Sequence, residues 1–181
     1  MRNKCTAITV AAAIAVFATL DCGSPVAADG IQTAGDVLQL VLPGAAAGLT
    51  LGHGDGQGAR QLGKSLAASL GVTYAFKFSI NAQRPNGGGQ SFPSGHASVS
   101  FSAAEFMRKR YGWEYGVPAY AAASFVAYSR VESREHHPQD VVAGAGIGIL
   151  SSYIFTKPYK GWHASVEGDT TDLDLRFTRH F

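Results

Sequence analysis

The chain of 181 residues has the length of a single domain, which argues against a catalytic unit joined to a separate cofactor domain. Its 15 Lys and Arg against 13 Asp and Glu leave a formal charge of +2, with no basic tail or large basic cluster, and this excludes a nucleic-acid binder. Charged residues make up only 15% of the chain, against roughly 25% in an average soluble domain, and 22 glycines favour closely packed small residues or many turns, so the composition leans towards a membrane; a mean hydropathy of +0.03 is nevertheless low for a protein wholly immersed in lipid.

Residues 1–28 have the pattern of a signal peptide. A basic start, Met1-Arg2-Asn3-Lys4, leads into an apolar run from Cys5 to Leu20 and then small residues before an expected cut after Ala28. Asp21 disfavours the alternative in which Cys22 becomes a lipidated N-terminus. Cleavage removes both Cys5 and Cys22, and the thiol-free remainder excludes a disulfide framework, a Cys-based zinc site and thiol catalysis. Uncut, the same segment is a membrane anchor. Residues 29–181 carry no repeat or linker and read as one domain.

Five apolar segments predict an all-α antiparallel helical bundle. The first, about Asp36–Leu51, ends in His53-Gly54-Asp55-Gly56-Gln57-Gly58, read as a loop. The second covers about Arg60–Phe78 and the third about Ser94–Arg108. A break at Gly116–Pro118 precedes the fourth, about Ala119–Arg130. The fifth starts at Pro138, which suits a first helical turn with Asp140 complementing the dipole, and runs to Phe155. From Trp162 to Phe181 polar and apolar residues alternate, predicting a small C-terminal β-hairpin around Gly168-Asp169, an accessory element because two strands cannot close a barrel.

Segments of this length suit either core helices or short membrane helices, so both a membrane bundle and a soluble one stay open. A cleaved leader starts the chain outside the cytoplasm. Lys77, Arg84 and the stretch Arg130–Asp140 then fall outside, and Arg108-Lys109-Arg110 inside, as the positive-inside tendency asks. In the soluble reading that basic triplet is only a solvated helix end.

Three clusters carry chemistry: Lys77 with Arg84-Pro85; Pro93-Ser94-Gly95-His96; and Ser129-Arg130 followed by His136 and Asp140. In an antiparallel bundle the helix ends bearing them share one face. That face gathers Lys77, Arg84 and Arg130 around a helix N-terminus at Ser94 and Gly95, where free backbone N–H groups and a positive dipole end suit an anion. Arg forks onto phosphate oxygens and Lys acts as a movable point charge, so a phosphoryl group gaining charge in its transition state fits the set. With no H-E-x-x-H, no Cys ligands and no acidic cluster, neither a metal nor another cofactor is expected, and the cations take over that electrostatic role. Asp140 lies one helical turn beyond His136, a relation that the adjoining His137 lacks. The glycine-rich Asn86–Gln90 reads as a flexible loop at the mouth of the site. Singly, each of these residues has an ordinary structural use as a cap, a loop residue or a solvated charge. Their order and intervals have none. His53, His163 and His180 have no place in the pattern.

Taken together, the three clusters resemble the motifs of the type 2 phosphatidic acid phosphatase (PAP2) superfamily, whose relatives include bacterial class A acid phosphatases and vanadium haloperoxidases. The resemblance spans Lys77 to Asp140, and the apolar segments around it resemble that family's helical core. It implies that His136 is the nucleophile forming a phosphohistidine, that Asp140 orients its ring, and that His96 protonates the leaving alkoxide and then activates water. It also implies that Lys77, Arg84, Ser94, Gly95 and Arg130 bind the phosphate. The implied activity is phosphate monoester or diphosphate hydrolysis at the cell envelope. The apolar helices favour a lipid substrate such as phosphatidate, an isoprenyl diphosphate or lipid A, handled at the inner membrane with the site facing the periplasm. A soluble periplasmic acid phosphatase acting on small phosphate esters, a haloperoxidase holding vanadate in the same cradle, and a non-catalytic anion-binding membrane protein are the alternatives.

Overall fold

The computed structural model describes residues 25–159, 162–169 and 172–179. Five helices follow in chain order: α1 Pro25–Gly52, α2 Gly56–Ser79, α3 Gly95–Tyr111, α4 Trp113–Glu132 and α5 Pro138–Phe155. Strands β1 (Trp162–Asp169) and β2 (Asp172–Arg179) close the chain as an antiparallel pair with Asp169 opposite Asp172, just past the expected turn. The all-α bundle with a C-terminal hairpin is the architecture expected from the apolar pattern. Apart from residues 25–28 at the start of α1, the segment read as a leader lies outside the described residues.

Two expected breaks differ in the structure. The loop at residues 53–58 is shorter, because Asp55 caps α2: its Oδ1 accepts the Gly58 N–H at 2.8 Å, and the chain is helical from Gly56. Gly116–Pro118 is not a break at all. The chain turns at Gly112, whose φ of 105° is open to glycine, and α4 runs through Pro118. Pro118 is tolerated because it stands so near the helix start that its missing N–H leaves only the Glu114 carbonyl, in the first turn, without an intrahelical donor. Gly116 is a contact rather than a breaker, since a Cβ there would lie 2.7 Å from Cβ of Arg108.

Helix α3 packs against each of the other four helices, and small side chains permit this. Its buried face carries Ala97, Ser98, Ser102, Ala103 and Ala104. Helix α5 meets that face with Gly144 and Gly148, one turn apart. A Cβ on Gly144 would stand 2.3 Å from the Ser94 carbonyl oxygen, and one on Gly148 2.2 Å from that of Ser98, so only glycine fits at either place. Hydroxyl groups tie α3 to both neighbours: Ser152 Oγ of α5 donates to the Ser102 carbonyl at 2.6 Å, and from α2 Ser69 Oγ donates to the Ser98 carbonyl at 3.2 Å and Thr73 Oγ1 to Ser98 Oγ at 3.0 Å. The larger apolar core, with Leu38, Leu42, Leu62, Phe106, Met107 and Val126, lies among α1 to α4.

Much large apolar surface points outward instead. Leu40, Leu51, Phe78, Val142 and Ile154 are all more than two-thirds exposed, and Gly30–Gly52 is long and apolar enough to cross a membrane. At one end of the bundle Arg110 is buried. Its Nε and Nη2 grip both oxygens of Asp55 at 2.7 and 2.6 Å, and Tyr111 Oη donates to the same carboxylate at 2.9 Å. The reading of Arg108-Lys109-Arg110 as merely a solvated helix end is therefore corrected for Arg110, which needs the Asp55 partner because a lone charge does not stay buried.

Candidate active site

The α3–α5 seam brings two of the three clusters together at the opposite end. With glycine at position 144 the backbones approach closely enough for the Ser94 N–H to donate to the Asp140 carbonyl at 2.9 Å. Ser94 is buried and caps α3, its Oγ accepting the Ala97 N–H at 3.4 Å, and Gly95 opens the helix. The backbone N–H groups of this first turn have no intrahelical acceptor, and with the positive end of the α3 dipole they suit an anion.

His136 lies in the short connection between α4 and α5. The Arg130 carbonyl accepts both the Glu135 and the His136 N–H, at 3.0 and 3.1 Å, and turns the chain so that the imidazole points inward with 3% exposure. Asp140 stands beside it in the first turn of α5. Its Oδ2 accepts from Ser91 Oγ at 2.5 Å and from the His137 N–H at 2.9 Å, and lies 3.7 Å from His136 Nδ1. That last separation exceeds a hydrogen bond, and Nδ1 is buried with no hydrogen-bond partner. Burial pushes the His136 pKa down to about 4. The Lys77 and Arg84 charges push the same way, and Asp140 and the Ser91 backbone only partly oppose them. The ring is therefore neutral near pH 7, the state a nitrogen nucleophile requires.

The cations are arranged less freely than the motif pattern suggests. Lys77 Nζ donates to the Gln90 carbonyl at 2.8 Å. Arg84 is paired with Glu135 through Nη1, while its buried Nε has no partner, an orphan donor that a phosphate oxygen would satisfy. The Arg84 charge is felt at both His96 and His136, lowering the pKa of each. Arg130 is turned towards α1. Only 2% exposed, it donates to Asp36 Oδ1 at 2.7 Å, to the Gln32 carbonyl at 2.7 Å and to Ser129 Oγ at 3.1 Å, so two of its five N–H groups stay uncommitted. His96 points the same way, with Nε2 3.0 Å from Asp36 Oδ1. All eight residues singled out by the motifs thus gather at one end of the bundle, with Arg130 joined to His96 through Asp36.

The Asn86–Gln90 loop is better tied than the flexible element expected there. Asn86 N–H donates to the Arg134 carbonyl at 3.1 Å and its side-chain amide to Glu135 at 3.0 Å, so the loop is fastened to the His136 connection. Motif reading missed three side chains in the site. Ser91 and Glu135 sit in loops and have no spacing that marks them. Asp36 did carry a signal, being the only ionisable residue between positions 30 and 52 of an apolar stretch. His137 is half-buried, with Nε2 3.3 Å from the Gln83 carbonyl, and it borders a cleft of about 390 Å³ shared with Ile80, Phe92, Gln139 and Asp140. His53 packs on Tyr111 with ring centroids 5.0 Å apart, far along the chain from these motifs; His163 lies on β1 and His180 outside the described residues. Among the described residues no group of three or more His, Cys, Asp and Glu side chains is placed to hold a metal ion.

Residues 58–162 match the PAP2 superfamily. A lipid A 4'-phosphatase of Helicobacter pylori is 32% identical over 142 residues, covering 72% of this chain and 71% of that protein. A lipid A 1-phosphatase of Porphyromonas gingivalis is 38% identical over 90 residues, 47% of this chain; the match spans only 20% of that longer protein. The crystal structure of Aquifex aeolicus LpxE superposes with a TM-score of 0.64 at 20% identity, covering 75% of this chain and 88% of the other, and shares the fold.

Proposed function

Because the chain belongs to the PAP2 superfamily, we propose that it is a phosphatase that removes phosphate from a membrane lipid through a phosphohistidine on His136. The observation that carries this reading is a buried, neutral imidazole flanked by Asp140, within the field of Lys77 and Arg84, beside the open N-terminus of α3. In the first half-reaction the free ring nitrogen of His136 attacks phosphorus. Lys77, the unpartnered Arg84 Nε and the N–H groups at Gly95 receive the non-bridging oxygens, and Arg130 adds charge beside His96. The phosphorus–oxygen bond breaks as His96 hands a proton to the departing oxygen. In the second half-reaction His96 takes a proton from water as that water attacks phosphorus, and the P–N bond breaks to free inorganic phosphate.

A lipid substrate is favoured by the distribution of side chains. Ser, Gly and Ala fill the α3–α5 seam, whereas Leu40, Leu51, Val142 and Ile154 face outward, the arrangement of helices packed within a bilayer. Lipid A named for two relatives makes a phosphorylated glycolipid the first substrate to try, with phosphatidate and isoprenyl diphosphates next. The same distribution, with residues 1–28 as leader, supports an inner-membrane protein whose site faces the periplasm. The test is phosphate release from lipid A, phosphatidate and p-nitrophenyl phosphate by the full chain in detergent. His136→Ala is expected to abolish release from all three and EDTA to leave it intact. Turnover retained by His136→Ala overturns the mechanism, and resistance of the wild type to carbonate extraction from membranes distinguishes the embedded enzyme from a soluble periplasmic one.

A further inference from the structure

Asp36 lies in a helix segment apolar enough to cross a membrane and is its only ionisable residue. A carboxylate in such a place is costly and marks function when a partner is found for it. Here one oxygen, Oδ1, has two partners: Arg130 Nη1 at 2.7 Å and His96 Nε2 at 3.0 Å. The neighbouring Gly35 brings α1 this near, because a Cβ there would stand 2.0 Å from Ser129 Oγ and 2.7 Å from Arg130 Nη2. The Gln32 carbonyl, one turn earlier, holds Arg130 Nη2 at 2.7 Å. One face of α1 is thus fitted to Arg130 and His96 together.

We propose that Asp36 is a positioning residue that sets the ring orientation and tautomer of His96, an inference that rests on His96 being the proton donor to the leaving group. A carboxylate only accepts hydrogen bonds, so the hydrogen facing it belongs to Nε2 and the substrate is served by Nδ1. With both nitrogens protonated, His96 gives the Nδ1 proton to the leaving oxygen as the phosphorus–oxygen bond breaks and the bond from His136 to phosphorus forms. The neutral ring stays anchored through Nε2–H. Its Nδ1 lone pair then takes a proton from the attacking water while the P–N bond breaks, which restores the imidazolium. Arg130 fixes the carboxylate by holding the same oxygen, and Asp36 in turn couples proton transfer to the third motif.

The experiment compares two leaving groups on the full chain in detergent. Asp36→Asn is expected to lower kcat/KM, which reports only the steps through loss of the leaving group and not the water step that both esters share, about 10- to 100-fold for dodecyl phosphate, whose alkoxide must be protonated, and by no more than about threefold for p-nitrophenyl phosphate, whose phenolate leaves unprotonated. In a His96→Ala background the same substitution is expected to cost nothing further. Equal loss on both esters or full additivity with His96→Ala overturns the proposal and assigns Asp36 to phosphate binding or to the packing of α1. Should Asp36→Asn fail to fold, Asp36→Glu keeps the charge while displacing it by one methylene, and the same selective loss on the alkyl ester is expected. A wild type active on both esters with Asp36 variants unchanged sinks this inference alone, whereas a wild type that hydrolyses neither removes the phosphatase reading and this inference with it.

Discussion

Lys77→Gln tests the electrostatics of the site at its centre. Burial is the largest cause of the depressed His136 pKa of about 4, and the Lys77 and Arg84 charges are the next two. At pH 5 a ring titrating at about 4 is about 90% neutral, whereas one at the ordinary 6.5 is about 3% neutral, so the folded site keeps His136 neutral under acid conditions in which an unperturbed histidine is charged. The same shift enters stability. As pH falls the unfolded chain binds this proton first, so stability present above pH 6.5 is lost on the way down through pH 4, by about 3 kcal/mol at about 1.4 kcal/mol per unit. Removing the Lys77 charge takes away one of the two cationic contributions and leaves burial in place. The His136 pKa is expected to rise part of the way towards 6.5, and the acid loss of stability to shrink with it. The substrate phosphate titrates in the same range, so the measurement belongs on free protein: the His136 ring resonance followed by NMR, assigned by its disappearance in His136→Asn. A wild-type midpoint at 6.5 or above, or a fall of the midpoint in Lys77→Gln, would refute the reasoning.

Gly148→Ala places a methyl 2.2 Å from the Ser98 carbonyl oxygen, where backbone and not a flexible side chain must yield, and it is expected to cost about 1–3 kcal/mol in thermal or denaturant unfolding. Ser91→Ala removes the 2.5 Å donor from Asp140 but leaves the His137 N–H, so a fall in kcat of about tenfold with about 1 kcal/mol or less of lost stability is expected from steady-state kinetics and melting. Asp55→Asn breaks the buried pair with Arg110 and is expected to lower stability by about 3–5 kcal/mol while kcat per folded molecule, determined by active-site titration, stays within about twofold.

The helices were legible because each apolar segment is punctuated by residues with one clear use. Pro138 opens α5 and Gly112 turns the chain before α4; Gly116, read as a turn, is a packing contact with Arg108, and α1 starts at Pro25, eleven residues before the segment read from Asp36. A glycine that makes room and a glycine that bends the chain look alike until the neighbouring helix is known. The motif residues were legible for a related reason: each sits near a helix end or in the connection beyond it, so antiparallel packing brings Lys77, Ser94 and His136 to one end of the bundle. What the motifs could not show was how the cations are occupied.

That occupancy is the physical step connecting fold to chemistry. A face holding Lys77, Arg84 and Arg130 without substrate would be a concentration of like charge at a low-dielectric bundle end, and the chain answers it locally, with Glu135 on Arg84 and Asp36 on Arg130. Both carboxylates come from outside the recognised spacing, one from the loop next to His136 and one from α1. Each leaves part of its guanidinium uncommitted: Arg84 keeps an unpartnered Nε, and Arg130 keeps one N–H on each terminal nitrogen. Under the proposed function, a phosphate entering the site would complete two half-satisfied pairs without displacing either carboxylate. The arginines are held in position before it arrives, and the reorganisation cost of binding and of the transition state falls on the substrate side.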